Sequence, residues 1–203
     1  MASAISSPLH VTDTTISTLT ALLAERSAKR GDFVLASGRR SSLYVDCRLT
    51  TMSPEGQLLI GRAALAALRG SGWTFDSVGG LTLGADPISY AIAHASALAA
   101  EQGDGAMVRS FTVRKEAKQH GTGKLIEGPF APGDRVVVVE DVITTGGSAL
   151  KAVEAVRAAG GTVVGVLALV DREEGGREAI EAAGLAVLAL VPATALLAQM
   201  PSA

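Results

Sequence analysis

Two adjacent acids, Glu140 and Asp141, are the residues of this sequence that most clearly suggest chemistry. They follow four consecutive valines at 136–139 and precede a Thr-Thr-Gly-Gly-Ser turn at 144–148. The valines predict a strand buried on both faces, as in a parallel sheet. A glycine-rich turn that opens a helix offers backbone N–H groups and the positive end of a helix dipole to a phosphate. The stretch therefore predicts a ligand with a phosphate for the turn and with hydroxyls or a metal ion for the acids.

A simpler interpretation of the two acids is that they cap the helix that follows, which would contribute about 1 kcal/mol. Capping alone does not explain why two threonines, two glycines and a serine come next. The stretch is not a P-loop, because it lacks Gly-x-x-x-x-Gly-Lys-Ser/Thr. It is not a dinucleotide fingerprint, because no Gly-x-Gly-x-x-Gly opens the helix. Hydroxyls and backbone amides fit a phosphate monoester, which is what we expect here.

A second stretch, residues 114–124, reads Arg-Lys-Glu-Ala-Lys-Gln-His-Gly-Thr-Gly-Lys and is strongly basic. A polar, glycine-containing loop of this length is either a solvated surface segment or a functional lid. A phosphate turn in the same domain favours the lid. Cations beside a phosphate turn indicate a polyphosphate, because they would neutralise charge that develops on a leaving group.

Two further loops follow predicted strands. Residues 82–87 are either a second phosphate-facing loop or a plain connection in which Asp86 caps a helix that starts at Pro87. In residues 171–176, Arg172 either binds a carboxylate or ring carbonyl through two hydrogen bonds or pairs with a neighbouring acid on the surface. The residues alone leave both alternatives open.

The pattern of the whole chain predicts an α/β protein with a parallel sheet and right-handed crossovers, because strand and helix patterns alternate. An N-terminal helix is expected over 14–29, capped by Asp13, and a strand, a turn and a strand over 33–46. The elements expected after these are a helix over 54–69, a strand over 77–81, a helix over 87–100, a strand over 106–113, a polar loop over 114–128, a strand over 135–141, a helix over 148–159, a strand over 163–170, a helix over 177–183, a strand over 186–191 and a short last helix.

Composition limits the classes of function. The chain has 203 residues, which suits one domain, and no apolar run reaches the ~18 residues of a membrane span. A formal net charge of −2 gives no argument for nucleic-acid binding. Cys47 is the only cysteine, which excludes an intrachain disulfide and a cysteine-based zinc site. Without a recognisable signal peptide, we expect a reduced, cytoplasmic setting, with no membrane and no nucleic-acid partner.

Four stretches resemble one enzyme family. Residues 138–148 resemble the phosphoribosyl pyrophosphate (PRPP) signature of type I phosphoribosyltransferases. Residues 114–121 resemble the mobile catalytic loop of the orotate phosphoribosyltransferase family. Residues 33–39 and 171–176 are similar to two other stretches of that family, in the expected order.

The resemblance implies a type I phosphoribosyltransferase fold, which is an open, mostly parallel sheet flanked by helices. A single domain would span residues 1–203, with a small hood mainly from residues 1–46 and a mobile catalytic loop at 114–128. The implied reaction transfers the phosphoribosyl group of PRPP to orotate and gives orotidine 5′-monophosphate and pyrophosphate, a step of pyrimidine biosynthesis. The alternatives are a purine phosphoribosyltransferase, which the 114–121 sequence disfavours, and a non-catalytic PRPP-binding regulator that binds nucleic acid, which the isoelectric point near 5.9 disfavours.

The resemblance also implies roles for individual residues. Magnesium would arrive bound to PRPP, with little or no direct ligation by the protein, and the enzyme would be a homodimer that shares its lids. Arg114, Lys118 and His120 would reach across to the neighbouring subunit, while Lys115 would serve its own subunit. Orotate would contact Thr144 and Arg172. The implied catalytic residues are Lys118, Arg114, His120 and Asp141. The implied PRPP contacts are Arg114, Lys115, Lys118, His120, Glu140, Asp141, Val142, Ile143, Thr144, Thr145, Gly146, Gly147 and Ser148.

The chain departs from the family pattern at two places near the expected base and pyrophosphate sites. Ala36 stands where many members have lysine, and Leu83-Gly84 stands where many have Tyr-Lys. The contacts that those residues make in other members are therefore not expected here.

Overall fold

The structure, a computed structural model, describes residues 8–34, 40–116 and 124–201, with side chains from residue 14 onward except that of Val34. Within these ranges the helices are α1 (Pro8–Arg26), α2 (Arg48–Thr51), α3 (Pro54–Gly70), α4 (Ala85–Glu101), α5 (Gly147–Ala158), α6 (Gly176–Ala182) and α7 (Ala193–Gln199). The strands are β1 (Ala28–Val34), β2 (Arg40–Val45), β3 (Ser77–Leu81), β4 (Arg109–Val113), β5 (Ile126–Glu127), β6 (Arg135–Ile143), β7 (Thr162–Asp171) and β8 (Val187–Pro192). No helix in the described ranges has the length and apolar character needed to span a membrane.

The central sheet has six strands in the order β5-β4-β3-β6-β7-β8, and every neighbouring pair except β4 and β5 is parallel. This confirms the predicted mostly parallel sheet. The valine strand, β6, lies between β3 and β7, and all four valines are fully buried. Val137 and Val139 pack into one core cluster, while Val136 and Val138 pack into the other, because successive side chains of a strand alternate between faces.

A separate antiparallel hairpin, β1 and β2, precedes the central sheet. The helix expected over 14–29 is wrong at both ends, because Asp13 lies inside α1 and Ala28 already pairs with Val45 of β2. Pairing with a strand that lies later in the chain overrides the local helix pattern here. Leu19 and Leu23 of α1 are fully buried in the core.

Helix α3 begins as expected. The hydroxyl of Ser53 accepts a hydrogen bond from the backbone N–H of Gly56 at 3.1 Å, and Pro54 is the first helical residue. Helix α4 does not begin as expected, because it starts before Pro87 and Gly84 occupies the cap position. Asp86 therefore lies inside the first turn, and its carboxylate is used elsewhere.

Strand β5 lies within the stretch expected to be entirely loop. Ile126 pairs with Val113 and Glu127 pairs with Thr112, so that the returning end of the 114–128 loop forms the antiparallel edge of the sheet. A strand of two residues carries no periodicity by which a sequence could reveal it.

Glycines in β3 allow its backbone to lie very close to its neighbours. A Cβ atom on Gly80 would lie 2.0 Å from the carbonyl oxygen of Val139, and one on Gly79 would lie 2.4 Å from that of Phe111. The contact at Gly80 is made one residue before Glu140. The close packing of β3 against the acidic end of β6 therefore depends on the absence of a side chain at Gly80.

We predict that Gly80→Ala lowers the melting temperature by about 5 °C or more, because the added methyl group must displace the backbone of β6. Differential scanning calorimetry of the purified variant measures this. Gly70→Ala is the matched control, because a Cβ atom at this helix end would meet no atom within 4 Å. The control should be unchanged or slightly more stable. An equal loss in both variants would contradict the steric role of Gly80.

Candidate active site

The two acids lie in the last part of β6 rather than after it. The strand was expected to end at residue 141, but Val142 and Ile143 continue the ladder by pairing with Val170 and Asp171 of β7. The backbone at this point is therefore held on the sheet, and Glu140 and Asp141 are fixed by strand geometry. Ligand sites of open α/β sheets lie at this carboxyl edge.

A cavity of about 360 Å³ opens at this edge. It collects side chains from the hairpin, from the end of β3, from β6 and its turn, from the start of the basic loop and from the end of β7. Its lining residues are Tyr44, Val45, Asp46, Cys47, Arg48, Leu81, Thr82, Leu83, Gly84, Lys115, Glu140, Asp141, Val142, Thr144, Ser148 and Arg172.

Glu140 is buried and keeps a proton. Only 7% of the residue is exposed, and its Oε2 atom has no hydrogen-bond partner among the residues that the structure describes. Burial, and then the nearby charge of Asp141, raise the pKa of Glu140 to about 9. At neutral pH Glu140 is therefore a neutral acid that can donate a hydrogen bond.

The loop at 82–84 lies directly against the side chain of Asp141. Its Oδ1 atom accepts a hydrogen bond from the backbone N–H of Val142 at 2.9 Å. A Cβ atom on Gly84 would lie 2.5 Å from the Cγ atom of Asp141, so a larger residue at position 84 would require the Asp141 side chain to move. The end of β3 is thereby brought to the acids, as the phosphate-facing interpretation of residues 82–87 requires.

The phosphate turn connects β6 to α5. Gly146 occupies the cap position of α5 with a φ of 79°, a left-handed conformation that favours glycine. Thr144 and Ser148 line the cavity at the two ends of the turn. Val142 also lines it, whereas the side chain of Ile143 is buried in the core, so Ile143 can offer a ligand only its backbone.

The phosphate turn touches the turn that follows β7. A Cβ atom on Gly176 would lie 2.4 Å from the carbonyl oxygen of Thr144, and a Cβ atom on Gly146 would lie 2.8 Å from the carbonyl oxygen of Gly176. The backbone N–H of Arg172 also donates to the carbonyl oxygen of Ile143 at 2.9 Å. The two turns are therefore in direct backbone contact.

The ion pair with a neighbouring acid, one of the two alternatives left open by the sequence, is present at Arg172, but it is buried rather than on the surface. Its side chain is 4% exposed and lines the cavity, and its Nη2 atom donates to the Oε1 atom of Glu174 at 2.6 Å. The same Nη2 atom donates to the hydroxyl of Ser41 in β2 at 2.6 Å. Within the described part of the chain, the Nε atom of Arg172 has no partner. Arg172 is thus a buried ion-pair partner that still has a donor for a ligand.

The basic loop reaches the cavity through its first residues. Lys115 lines the cavity, while Arg114 lies beside neighbouring hollows, with its Nη1 atom 3.6 Å from Glu127 Oε1. Lys118 and His120 lie outside the residues that the structure describes, as does Ala36.

Sequence reasoning missed the residues contributed by the segment that leads from β2 into α2. Asp46 accepts two hydrogen bonds from the Arg48 guanidinium, at 2.8 and 2.9 Å, and this pair forms one wall of the cavity. The Sγ atom of Cys47 lies 3.8 Å from the backbone oxygen of Asp141, and burial raises the pKa of the Cys47 thiol well above its usual range. No local pattern marked these residues, because their function depends on packing against a strand far along the chain.

Comparisons with known proteins agree with this geometry. A family model described as phosphoribosyl transferase domain matches residues 62–183, which include both acids, the phosphate turn and Arg172. An orotate phosphoribosyltransferase from Rhodopirellula baltica is 50% identical over 171 residues, covering 82% of this chain and 86% of that protein. One from Aquifex aeolicus is 49% identical over 182 residues, covering 88% and 96%.

Solved structures give the same result. The orotate phosphoribosyltransferase of Mycobacterium tuberculosis in complex with Fe(III) dicitrate matches with a TM-score of 0.77 and 44% identity, covering 90% of this chain and 98% of that one. The same enzyme in complex with PRPP matches with a TM-score of 0.72 and 39% identity, covering 90% and 92%. The fold is that of the type I phosphoribosyltransferases, and the chain belongs to the orotate phosphoribosyltransferase family.

Proposed function

We propose that this protein transfers the phosphoribosyl group of PRPP to orotate, giving orotidine 5′-monophosphate and pyrophosphate in pyrimidine biosynthesis. The observation that carries the proposal is one cavity that joins the acid pair, the phosphate turn, Lys115 and Arg172, on a chain about half identical to orotate phosphoribosyltransferases. Each group meets one part of the two substrates.

The sugar would lie over the acid pair, with its 5-phosphate in the turn at 144–148. Neutral Glu140 can donate a hydrogen bond to a ribose hydroxyl, and the Asp141 carboxylate can accept one. Breaking the bond at the anomeric carbon leaves positive charge on the sugar, as in glycoside hydrolysis. The negative charge of Asp141 would stabilise that change without reorganisation of solvent.

The departing pyrophosphate would lie between the 82–84 loop and the basic loop. Lys115 supplies a cation from the described part of the basic loop, and Arg114, Lys118 and His120 are proposed to add to it. Positive charge placed where negative charge develops lowers the barrier. Closure of the loop would also exclude water, which would otherwise hydrolyse PRPP.

Magnesium is proposed to enter as part of magnesium–PRPP. The described residues contain no group of three or more acids, histidines or cysteines that could hold a metal ion. The Asp141 carboxylate, against which the 82–84 loop lies, is the side chain that would face the ion. The ion's chemistry there is to neutralise charge on the leaving group.

Orotate is proposed to bind at the Arg172 end of the cavity, beside Thr144. A carboxylate or ring carbonyl can accept from the Arg172 guanidinium, which lines the cavity and whose Nη2 atom also donates to Ser41 and Glu174. A purine carries no carboxylate for this buried cation. A cytoplasmic setting is proposed as well, in keeping with the buried free thiol of Cys47.

The substrate assay is the direct test of this function. With magnesium and PRPP, we expect the protein to release pyrophosphate rapidly with orotate and not with adenine, hypoxanthine or no base, measured by a coupled pyrophosphate assay. Arg172→Lys keeps the charge but loses the planar fork, so it should raise KM for orotate about tenfold or more and change KM for PRPP little. Release with a purine but not with orotate would overturn the proposal.

We further propose a homodimer in which Lys118 acts in the active site of the neighbouring subunit. Lys118→Ala and Asp141→Asn should each be nearly inactive. A one-to-one mixture that exchanges subunits should recover about a quarter of wild-type activity, because half of the dimers are mixed and each mixed dimer has one intact site. Exchange is verified by mass spectrometry of differently tagged subunits. Mixed dimers without recovered activity would show that each lid serves its own subunit.

The proton on Glu140 predicts how stability depends on pH. The pKa is near 4.5 for an ordinary glutamic acid and about 9 in the folded protein, so between these values the native state binds a proton that the unfolded state has lost. Stability from this group therefore falls as pH rises from 5 to 9, by up to about 1.4 kcal/mol per pH unit. The other charged side chains that line the cavity are Asp46, Arg48, Lys115, Asp141 and Arg172, and the Asp141 charge acts in the same direction as burial.

We predict that Glu140→Gln removes this slope, so that the variant gains stability over wild type as pH rises from 5 to 9. Urea unfolding at a series of pH values measures the difference. Glu55→Gln is the control, because its exposed carboxylate has a lowered pKa and is ionised throughout that range. Parallel curves for wild type and Glu140→Gln would show that Glu140 is ionised in the folded protein.

A further inference from the structure

Asp86 bonds to two segments that lead into the proposed pyrophosphate site. It is 7% exposed and lies in the first turn of α4. Its Oδ2 atom accepts a hydrogen bond from the hydroxyl of Thr82 at 2.6 Å, and its Oδ1 atom accepts one from the hydroxyl of Thr112 at 2.8 Å. Thr82 starts the loop that packs against Asp141, and Thr112 lies in β4 just before the basic loop.

Asp86 acts from outside the cavity of the acids. It lines a second hollow of about 500 Å³, together with Thr82, Tyr90, Thr112 and the first residues of the basic loop. Thr82 and Lys115 line both spaces. Asp86 therefore reaches a ligand in the first cavity only through the segments that it holds.

The orientation of the Thr112 hydroxyl is also set. The hydroxyl oxygens of Tyr90 and Thr112 lie 3.2 Å apart. With its own proton on Asp86, the Thr112 oxygen can accept from Tyr90. The chain of donors thus runs from Tyr90 through Thr112 to the carboxylate, and Thr82 donates to the carboxylate from the opposite side.

We infer that Asp86 is a positioning residue that fixes the 82–84 loop relative to the start of the basic loop, so that both meet the pyrophosphate group of PRPP. The inference rests on the proposed function, because it takes PRPP as the ligand of the cavity. A carboxylate with two hydroxyl donors holds both segments at once, whereas a side chain with one acceptor holds only one of them.

Geometry and charge make opposite predictions for Asp86. A negative charge near a site for pyrophosphate opposes binding of that anion. If charge dominated, Asp86→Asn would tighten binding. If positioning dominates, the same variant loses one of two acceptors and weakens binding. Thr112→Val separates the two effects, because it keeps the charge and the side-chain shape but removes one hydrogen bond.

The experiment compares wild type, Asp86→Asn and Thr112→Val by steady-state kinetics and by titration calorimetry with magnesium pyrophosphate. For both variants we expect KM for PRPP and Kd for pyrophosphate to rise about tenfold or more, with KM for orotate within about twofold of wild type. Thr112 is half-buried, so Thr112→Val is expected to fold. It therefore provides a second test if Asp86→Asn folds poorly.

Asp134→Asn is the matched control. Asp134 is also buried, and it accepts from Ser77 of β3 at 3.2 Å and from Arg109 of β4 at 2.7 Å. It therefore links the same two strands at their other end, far from the cavity. Asp134→Asn is expected to lower the melting temperature and to leave KM for PRPP unchanged.

The outcomes are distinct. Tighter pyrophosphate binding by Asp86→Asn, or a fall in stability with unchanged KM and Kd as in the control, would overturn the positioning role. A wild-type protein inactive with orotate, but with pyrophosphate binding that both variants weaken, would refute the proposed function and support the role of Asp86. A wild type that binds no pyrophosphate would refute both.

Discussion

Two carboxyl groups on consecutive residues cannot both be buried and ionised without a large loss of solvation. The structure meets this constraint by dividing the roles. Glu140 is buried and protonated, and Asp141 is charged with a backbone N–H on its carboxylate. The division requires a rigid backbone, which β6 provides because it lies inside the sheet with strands on both sides. The valine core of that strand is thus what allows a charged and a neutral acid to sit side by side.

The positive groups of the site are arranged around that pair from separate segments. Arg172 enters from the end of β7, Lys115 from the end of β4, and Arg48 from the hairpin side. Two of them are already paired with acids, Arg172 with Glu174 and Arg48 with Asp46. The overall charge of −2 therefore says little about the electrostatic field inside the cavity. Pairing keeps the cavity close to neutral while leaving donors in fixed directions.

Local features of the fold could be predicted from the sequence, and long-range features could not. The valine strand, the cap at Ser53 and the glycine-rich turn carry their information within a few residues. The contact of Ser41 with Arg172 joins residues 131 apart, and nothing near either residue indicates it. The same holds for Asp86, whose expected role as a helix cap was replaced by bonds to two threonines. The N-terminal helix was misplaced because β1 is defined by its partner strand rather than by its own pattern.

The contact between Gly146 and Gly176 has a consequence for the range of nucleotides that the cavity can accommodate. It brings the turn for the 5-phosphate and the turn that carries Arg172 together through backbone atoms. The distance between the two turns is therefore set by backbone contacts, and side-chain substitutions at either turn cannot increase it. A base of another size would have to be accommodated by other residues that line the cavity, such as Tyr44 of β2, Asp46, and Arg48 of α2. Base preference within this scaffold can therefore diverge through the side chains of the lining, while the phosphate-to-base distance stays constant.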